Sequence, residues 1–435
     1  MCMVMRMFRV RGGAWSQPLR MLRALGVPVA IAVSCCPAAA SGASTSLRST
    51  TTAAASAYLA GPSTAALRSP SKSSWTITAS KNPGTSTDDL LAVSCTNATF
   101  CMAAGAYSNT ALLADQSTLV ERWNGRSWTD SASRNPGNNG DTLDGVSCPS
   151  TAFCAAVGSY TNGPAGPEPL VEGWNGRTWA PAPVPPPPGS RYGSSLNAVS
   201  CTSAAFCMAV GAYAYAADHN NTLAEEWNGK TWDIVPSPSP EITNDLLTVS
   251  CTSAAFCMAV GSYVMVSGRP GTLVEEWDGR TWAAVPIAVP GSTSNELRSI
   301  SCRSASFCIV AGTYSNSTAL SDQSTLVEAW NGRSWSVVAS RSPGTAGNTL
   351  DGISCASTRS CVAVGSYADG SGYAETLVEK WSGRIWAVLP SPNPKVAPYG
   401  SFLSSAACAG PSFCMAAGAS SYAPNHDKTL VEKTG

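Results

Sequence analysis

Histidine is nearly absent, with two in 435 residues, and charged residues make up only 12 %, about half the usual share. So little His and charge leaves few groups for acid–base or metal chemistry. Neither sign of charge is in excess, since 27 basic residues balance 27 acidic ones. That balance removes the electrostatic case for nucleic acid or an anionic membrane surface as the main partner. Long hydrophobic runs are missing too: the apolar stretch 24–33 is about half the ~20 residues a spanning helix needs, and Pro28 interrupts it. What the chain does have is 17 Cys, 14 Trp, 38 Gly and 30 Pro. Its 44 % hydrophobic content is enough for a core and excludes disorder throughout. The length suits two or three ordinary domains or one large repeat domain.

Arg6, Arg9, Arg11, Arg20 and Arg23 precede the apolar stretch, and small residues 38–44 follow it. A basic start, a short apolar run and an A-x-A-like site read as a secretory signal peptide over 1–40, with cleavage near Ala40 or Ala43. Met21 is an alternative start. An uncleaved anchor, the one case that makes the membrane a partner, and a lipid-bearing Cys35 are the rival readings. Residues 41–73 are Ser, Thr and Ala with few large apolar groups, too little to offset the entropy of ordering, and are expected to form a flexible linker.

From residue 74 onward one unit repeats: L-x-x-V-S-C-x5-C-x-A-V-G-x-Y, a variable stretch, then T-L-V-E-x-W-N-G-R-x-W. Its Cys come in pairs: Cys95 with Cys101, Cys148 with Cys154, Cys201 with Cys207, Cys251 with Cys257, Cys302 with Cys308, Cys355 with Cys361, and Cys408 with Cys414. The first Cys recurs at intervals of 53, 53, 50, 51, 53 and 53 residues. Each unit parses into four short strands, ending in Pro-rich sequence that removes ladder donors. Asn-Gly between the third and fourth strands predicts a two-residue type I′ hairpin. Four antiparallel strands at this period are the pattern of a propeller blade.

The ends decide the closure. Fourth-strand Trp residues number seven: Trp75, Trp128, Trp179, Trp232, Trp282, Trp335 and Trp386. Third-strand Glu residues also number seven: Glu121, Glu172, Glu225, Glu275, Glu328, Glu379 and Glu432. The unit begins with a lone fourth strand near Trp75 and stops after a third strand at Glu432. The expected fold is therefore all-β, a seven-bladed β-propeller over 74–435. Its closing blade is shared between the N-terminal strand and the three C-terminal strands. Such a ring leaves no unpaired blade, and a monomer is expected.

In an exported chain, even numbers of framework Cys read as disulfides, one at the mouth of each first hairpin. Zinc is the rival, but the spacing is not that of zinc sites and no His accompanies it. With a two-residue turn, alternation places Glu121, Trp123, Arg126 and Trp128 on one face. The expectation is a blade-to-blade ion pair against indole rings, a cation–π arrangement, rather than a catalytic ring of carboxylates.

Two of the four connections per blade are short. The other two share the opposite face, vary in length, and include 108–117, 161–169, 184–195, 214–221, 264–271, 368–375 and 420–428; function concentrates on such loops. A second duplication runs through them at an offset of 207 residues. It matches Asp115 with Asp322, Tyr192 with Tyr399, Tyr215 with Tyr422 and His219 with His426. Two equivalent ligand sites, each of a Tyr-Gly-Ser loop, a Tyr and a His, are one reading. A block copy carrying its loops along unselected is the other. The two His fall in different blades, so no shared metal site is expected.

The unit resembles the kelch, WD-repeat and sialidase-like propellers, and the split closing blade resembles the WD-repeat arrangement. The Cys-framed unit is most similar to exported bacterial repeat proteins. The resemblance covers about residues 74–433 and is one of architecture: the double Gly of kelch, the Trp-Asp of WD repeats and the sialidase box are missing, so no active-site residues carry over. No nucleophile elbow, H-E-x-x-H, phosphate loop or EF-hand run is present, and no catalytic residue, metal or cofactor is assigned. The expected function is an exported scaffold, secreted or envelope-associated, binding a glycan or protein. The alternative is a secreted polysaccharide hydrolase or lyase using Asp88, Asp89, Asp144, Asp245, Glu296 or Asp351, expected just before the first strands at the channel mouth.

Overall fold

In each repeat, small and β-branched residues line up into four antiparallel strands. The first blade is Thr87–Asn97, Phe100–Ser108, Gln116–Trp123 and Trp128–Asp130. The computed structural model describes residues 75–434 apart from 112–114, 164–165, 318–321, 369–372 and 396. The expected signal peptide and linker, with Cys2, Cys35 and Cys36, lie outside the described residues. Those residues hold 28 strands and no α-helix, in seven four-stranded blades.

First strands are innermost: Thr87–Asn97 packs against Thr142–Ser150, and the sequence of contacts runs round to Ser401–Gly410 and back to Thr87–Asn97. Trp75–Ile77 pairs with His426–Thr434 in the register Trp75↔Thr434, Thr76↔Lys433, Ile77↔Glu432. The lone N-terminal strand thus supplies the missing outer strand of the last blade.

Apolar burial lies between blades. Seven clusters form, each drawing on two neighbouring blades, including one of Leu90, Trp123 and Trp128 with Met415, Ala417 and Val431 across the closure. Both faces of a second strand are covered, which is why Cys101, Met102, Ala103 and Ala104 are all fully buried. The inner strands carry a bulge after each Leu, as between Leu90 and Ala92, which brings the backbone against the second strand. A Cβ on the facing Gly105 would sit 1.9 Å from the Asp89 carbonyl oxygen. This explains the Gly in every A-V-G or A-A-G.

Seven cystines close the first hairpins. Cys95 is bonded to Cys101, Cys148 to Cys154, Cys201 to Cys207, Cys251 to Cys257, Cys302 to Cys308, Cys355 to Cys361 and Cys408 to Cys414. Their Cα atoms lie 3.9–4.1 Å apart. The second member of each pair belongs to the doubly covered second strand, so Cys154, Cys207, Cys257, Cys308, Cys361 and Cys414 are buried, as Cys101 is. All fourteen serve the frame, since none lies on a variable connection. A seven-residue closed loop contributes about 2 kcal/mol in the chain-entropy account. An axial ladder joins neighbouring blades: the N–H of Cys148 donates to Ser94 Oγ at 2.9 Å, and the same bond recurs from Cys201, Cys251, Cys302, Cys355 and Cys408.

The N-G-R hairpin differs from the expected one. Trp123 pairs directly with Trp128, so four residues form the loop. Asn124 Oδ1 accepts from the N–H groups of Arg126 and Ser127 at 2.9 and 3.0 Å, and only Gly125 takes a positive φ, +94°. The Asn side chain builds an Asx turn in place of a type I′ backbone turn. Alternation across the loop is therefore lost. Arg126 sits at the exposed loop tip, away from the buried Glu121, and among the described residues no repeat Glu pairs with an N-G-R cation. The Trp rings meet each other instead, with centroids 5.6–5.8 Å apart in six blades.

Each repeat Glu is fully buried, where it meets the chain leaving the preceding blade. Glu121 accepts the N–H of Lys81, Glu172 that of Arg134 and Glu379 that of Arg341, while Glu275 and Glu432 accept the hydroxyls of Ser237 and Ser391. Desolvation pushes the Glu121, Glu225, Glu275 and Glu432 carboxyls up to about 8, and those of Glu172, Glu328 and Glu379 up to about 7. They are blade fasteners, without the Arg partners expected of them.

Candidate functional site

Cystine hairpins and N-G-R loops lie at one end of the blades, and the variable connections lie at the other. In the third blade the variable hairpin is tight: Ala216 pairs with His219 around Ala217 and Asp218, the latter at φ +59°. In the seventh blade Ala423 pairs with His426, and Asn425 takes φ +61°. Asp and Asn tolerate this left-handed conformation better than other side-chain-bearing residues. The next blade holds both turns, through Thr243 Oγ1 to the Asp218 carbonyl and Ser86 Oγ to the Asn425 carbonyl, each at 2.8 Å.

The Tyr-Gly-Ser loops reach these hairpins. The N–H of Tyr192 donates to the Ala214 carbonyl, and that of Tyr399 to the Ser421 carbonyl, both at 3.2 Å. Gly193 and Gly400 have φ of +108° and +104°, and each lies against the preceding blade, at Pro167 and Ala374. The loops therefore sit where the second and third blades meet, and the sixth and seventh.

The copies are not alike in their side chains. Tyr215 and His219 meet edge to face at 5.7 Å, with His219 Nδ1–H donating to the Ala217 carbonyl at 2.7 Å. No ring contact joins Tyr422 to His426 among the described residues, and His426 is exposed. Tyr399 instead meets Tyr373, from the preceding blade, with ring centroids 6.2 Å apart. A cleft of about 290 Å³ opens beside that pair, reaching Glu375, Asn393 and Lys395. Sequence reading flagged the segment holding Tyr373 only as variable, and it missed Asn393 and Lys395. The four exposed aromatic side chains among the described residues, Tyr192, Tyr215, Tyr373 and Tyr399, all lie on this face.

The six candidate carboxylates lie within the inner strands, not before them as expected. Asp88 is fully buried, accepting the Gly84 N–H at 2.6 Å and pairing with Lys428 Nζ at 3.0 Å. Burial raises its pKa, against the pull of that N–H and that ammonium. Its equivalents Asp141, Asn295 and Asn348 accept backbone N–H groups in the same way, so this position holds a loop. Asp144 accepts from Thr142 Oγ1 at 3.2 Å and Asp245 from Asn197 Nδ2 at 2.8 Å; Asp89 lies beside Asp88 in the first inner strand. Glu296 and Asp351 are brought together, by Arg298, whose guanidinium contacts them at 2.6 and 2.5 Å. The shared guanidinium engages both carboxylates in charge-assisted hydrogen bonds. The described residues hold no cluster of three or more His, Cys, Asp or Glu placed to bind a metal ion.

No family model matches the chain, and no curated protein matches it. Among solved structures it is similar to the WD40 β-propeller domain of Doa1, at 12 % identity over 84 % of this chain and 97 % of that one, with a TM-score of 0.51. It is also similar to YCF48 bound to a D1 peptide, at 12 % identity over 82 % and 96 % with a TM-score of 0.48. The six-bladed fucose-recognising lectin of Aleuria aurantia aligns at 13 % identity over 71 % and 97 %, with a TM-score of 0.41. At such identities the likeness concerns fold alone, and it agrees with the blades described above: the chain is a β-propeller repeat protein.

Proposed function

We propose that this protein is an exported, disulfide-stapled propeller that binds an extracellular glycan or protein through its variable-loop face. The observation that carries this reading is the placement on that face of all four exposed aromatic side chains among the described residues. Tyr offers a large contact area at low conformational cost together with a hydroxyl, and it is enriched where proteins meet partners. The opposite face is closed by seven cystines and the N-G-R turns, which suits a rigid frame in an oxidising compartment. Residues 1–40 act as the export signal, 41–73 as a tether, and 74–435 as one monomeric ring, secreted or held at the envelope. No described helix is long and apolar enough to cross a membrane. Arg298, already engaged by Glu296 and Asp351, weighs against the hydrolase or lyase reading.

The test is capture. The mature protein is offered to envelope-fraction proteins and to polysaccharides, alongside a variant with Tyr192, Tyr215, Tyr373 and Tyr399 all changed to Ala. Binding lost in the variant, with its melting temperature unchanged, is expected. Binding that survives all four changes overturns the proposal.

A further inference from the structure

The 207-residue duplication provides an internal comparison that separates the frame of a site from its recognising groups. Tyr160 Oη donates to Glu168 Oε2 at 2.7 Å in one copy, and Tyr367 Oη to Glu375 Oε2 at 2.8 Å in the other. The Tyr-Gly-Ser loop, with its positive-φ Gly, is likewise present in both. Gly166, Pro186 and Pro188 occupy the first copy at the places of Tyr373, Asn393 and Lys395 in the second. Backbone frame and supporting hydrogen bonds are shared; the aromatic, the amide and the ammonium are in one copy only.

Those three residues, with Glu375, border the cleft between the sixth and seventh blades, and Tyr399 packs edge-on against Tyr373 beside it. Its chemistry is mixed and oriented. Asn393 Oδ1 accepts the Thr376 N–H at 3.0 Å, which turns its NH2 donors the other way. Glu375 Oε2 is occupied by Tyr367, which fixes the carboxylate and leaves Oε1 as an acceptor. Lys395 is exposed and makes no ion pair among the described residues. Tyr373 and Tyr399 are 50 % and 41 % exposed.

We propose that this cleft is a pyranose-binding subsite, and that its counterpart between the second and third blades is not. A pyranose has a C–H face that packs on an aromatic ring and a rim of hydroxyls that each donate and accept. Two Tyr rings, one carboxylate acceptor and amide and ammonium donors match both features. A cleft near 290 Å³ is at the small end of ligand pockets and takes one ring, with the remaining sugars outside. An extended peptide would need a longer groove or an open strand edge.

This inference rests on the binding-face reading above, and the experiment separates the two. The full mature chain is applied to an array of neutral and uronate-bearing oligosaccharides, and hits are titrated calorimetrically. Tyr373→Ala and Tyr399→Ala are each expected to weaken binding about tenfold, the size of one lost aromatic contact. Tyr373→Trp, which keeps a stacking surface, is expected to retain it, and Glu168→Gln, at the first-copy counterpart of Glu375, to leave it unchanged. Melting curves show that each variant is folded. If no oligosaccharide binds, or if Glu168→Gln weakens binding as much as Tyr373→Ala, the subsite is overturned. A protein captured through the Tyr face with no sugar bound leaves the binding-face reading standing and the subsite refuted.

Discussion

Glu172 Oε1 accepts a hydrogen bond at 2.9 Å from the backbone N–H of Arg134, which belongs to the segment leaving the first blade for the second. The carboxyl is fully buried, and desolvation lifts it to about 7 against the pull of that N–H. All seven repeat Glu share the upward shift, to about 7 or 8 from an ordinary 4.5. An acid whose folded pKa lies above its unfolded value binds its proton more tightly when folded. Its contribution is complete below about 4.5 and is lost as pH rises through about 8. Thermal unfolding across pH 4 to 9 is expected to show a melting temperature that falls steadily through the neutral range. A flat or rising profile would contradict the burial of these carboxyls.

The fastener is incomplete at Glu328 and at Glu225, and for Glu225 the sequence says why. Both of its oxygens are buried without a hydrogen-bond partner. Six residues after the preceding outer-strand Trp, where Lys81, Arg134 and Arg341 present their N–H groups, stands Pro185, which has none. Two other blades also have Pro there, but Ser237 and Ser391, one place earlier, donate hydroxyls; here that place is Val184. Val184→Ser is expected to supply the donor, lower the Glu225 pKa, and add about 1 kcal/mol at pH 8. At pH 5, where Glu225 is protonated, the gain should vanish. Chemical denaturation of both proteins at the two pH values measures the difference.

The axial ladder is interrupted once. Six blades offer a Ser hydroxyl to the next Cys N–H, but Ala407 stands at that place in the seventh blade, opposite Cys95. Ser405 accepts the Val93 N–H at 3.2 Å, but Ser299 accepts that of Ile353 at 3.1 Å where the ladder is intact, so this bond does not replace the missing one. Ala407→Ser completes the pattern in a site shaped for it six times over. A gain of about 1 kcal/mol and a rise of about 2 °C or less are expected by calorimetry. A loss would mean that the seventh junction has a different spacing from the others.

The ring, the strand count, the cystines and the split blade were legible because each is written seven times at a near-constant period. What was not legible depends on register or on packing between repeats. Asn124-Gly125 carries a strong hairpin signal, yet the Asn carbonyl oxygen competes for the Arg126 and Ser127 N–H groups and makes the loop two residues longer. That small change separates Glu121 from Arg126 and dissolves the expected ion pair. The cleft was hidden for another reason. Tyr373 comes from one connection and Asn393 and Lys395 from another, and only the folded blades place them together. The duplication drew attention to residues that match, Tyr192 and His219 among them, whereas the residues that differ border the cleft.

The closure is where the ring should open first. Six blades stack two Trp rings across the N-G-R loop, but in the seventh Trp75 faces Thr434. Thr434 Oγ1 donates to the Ser412 carbonyl at 3.1 Å, the part played by an indole N–H in the first blade, where Trp123 donates to Ala98. It brings none of the indole's area. Trp75 itself is 3 % exposed, so the outer strand is held by one large side chain, three residue pairs and the contacts of Ser80 and Asn82 with Thr429. Trp75→Ala is expected to cost about 3–5 kcal/mol, as for other buried Trp truncations. Hydrogen exchange should then rise first in 401–434 while the second to fifth blades stay protected, since local opening follows the loss of contacts. Uniform exchange across all seven blades would show that the ring unfolds as a single unit and that the N-terminal strand is no special seam.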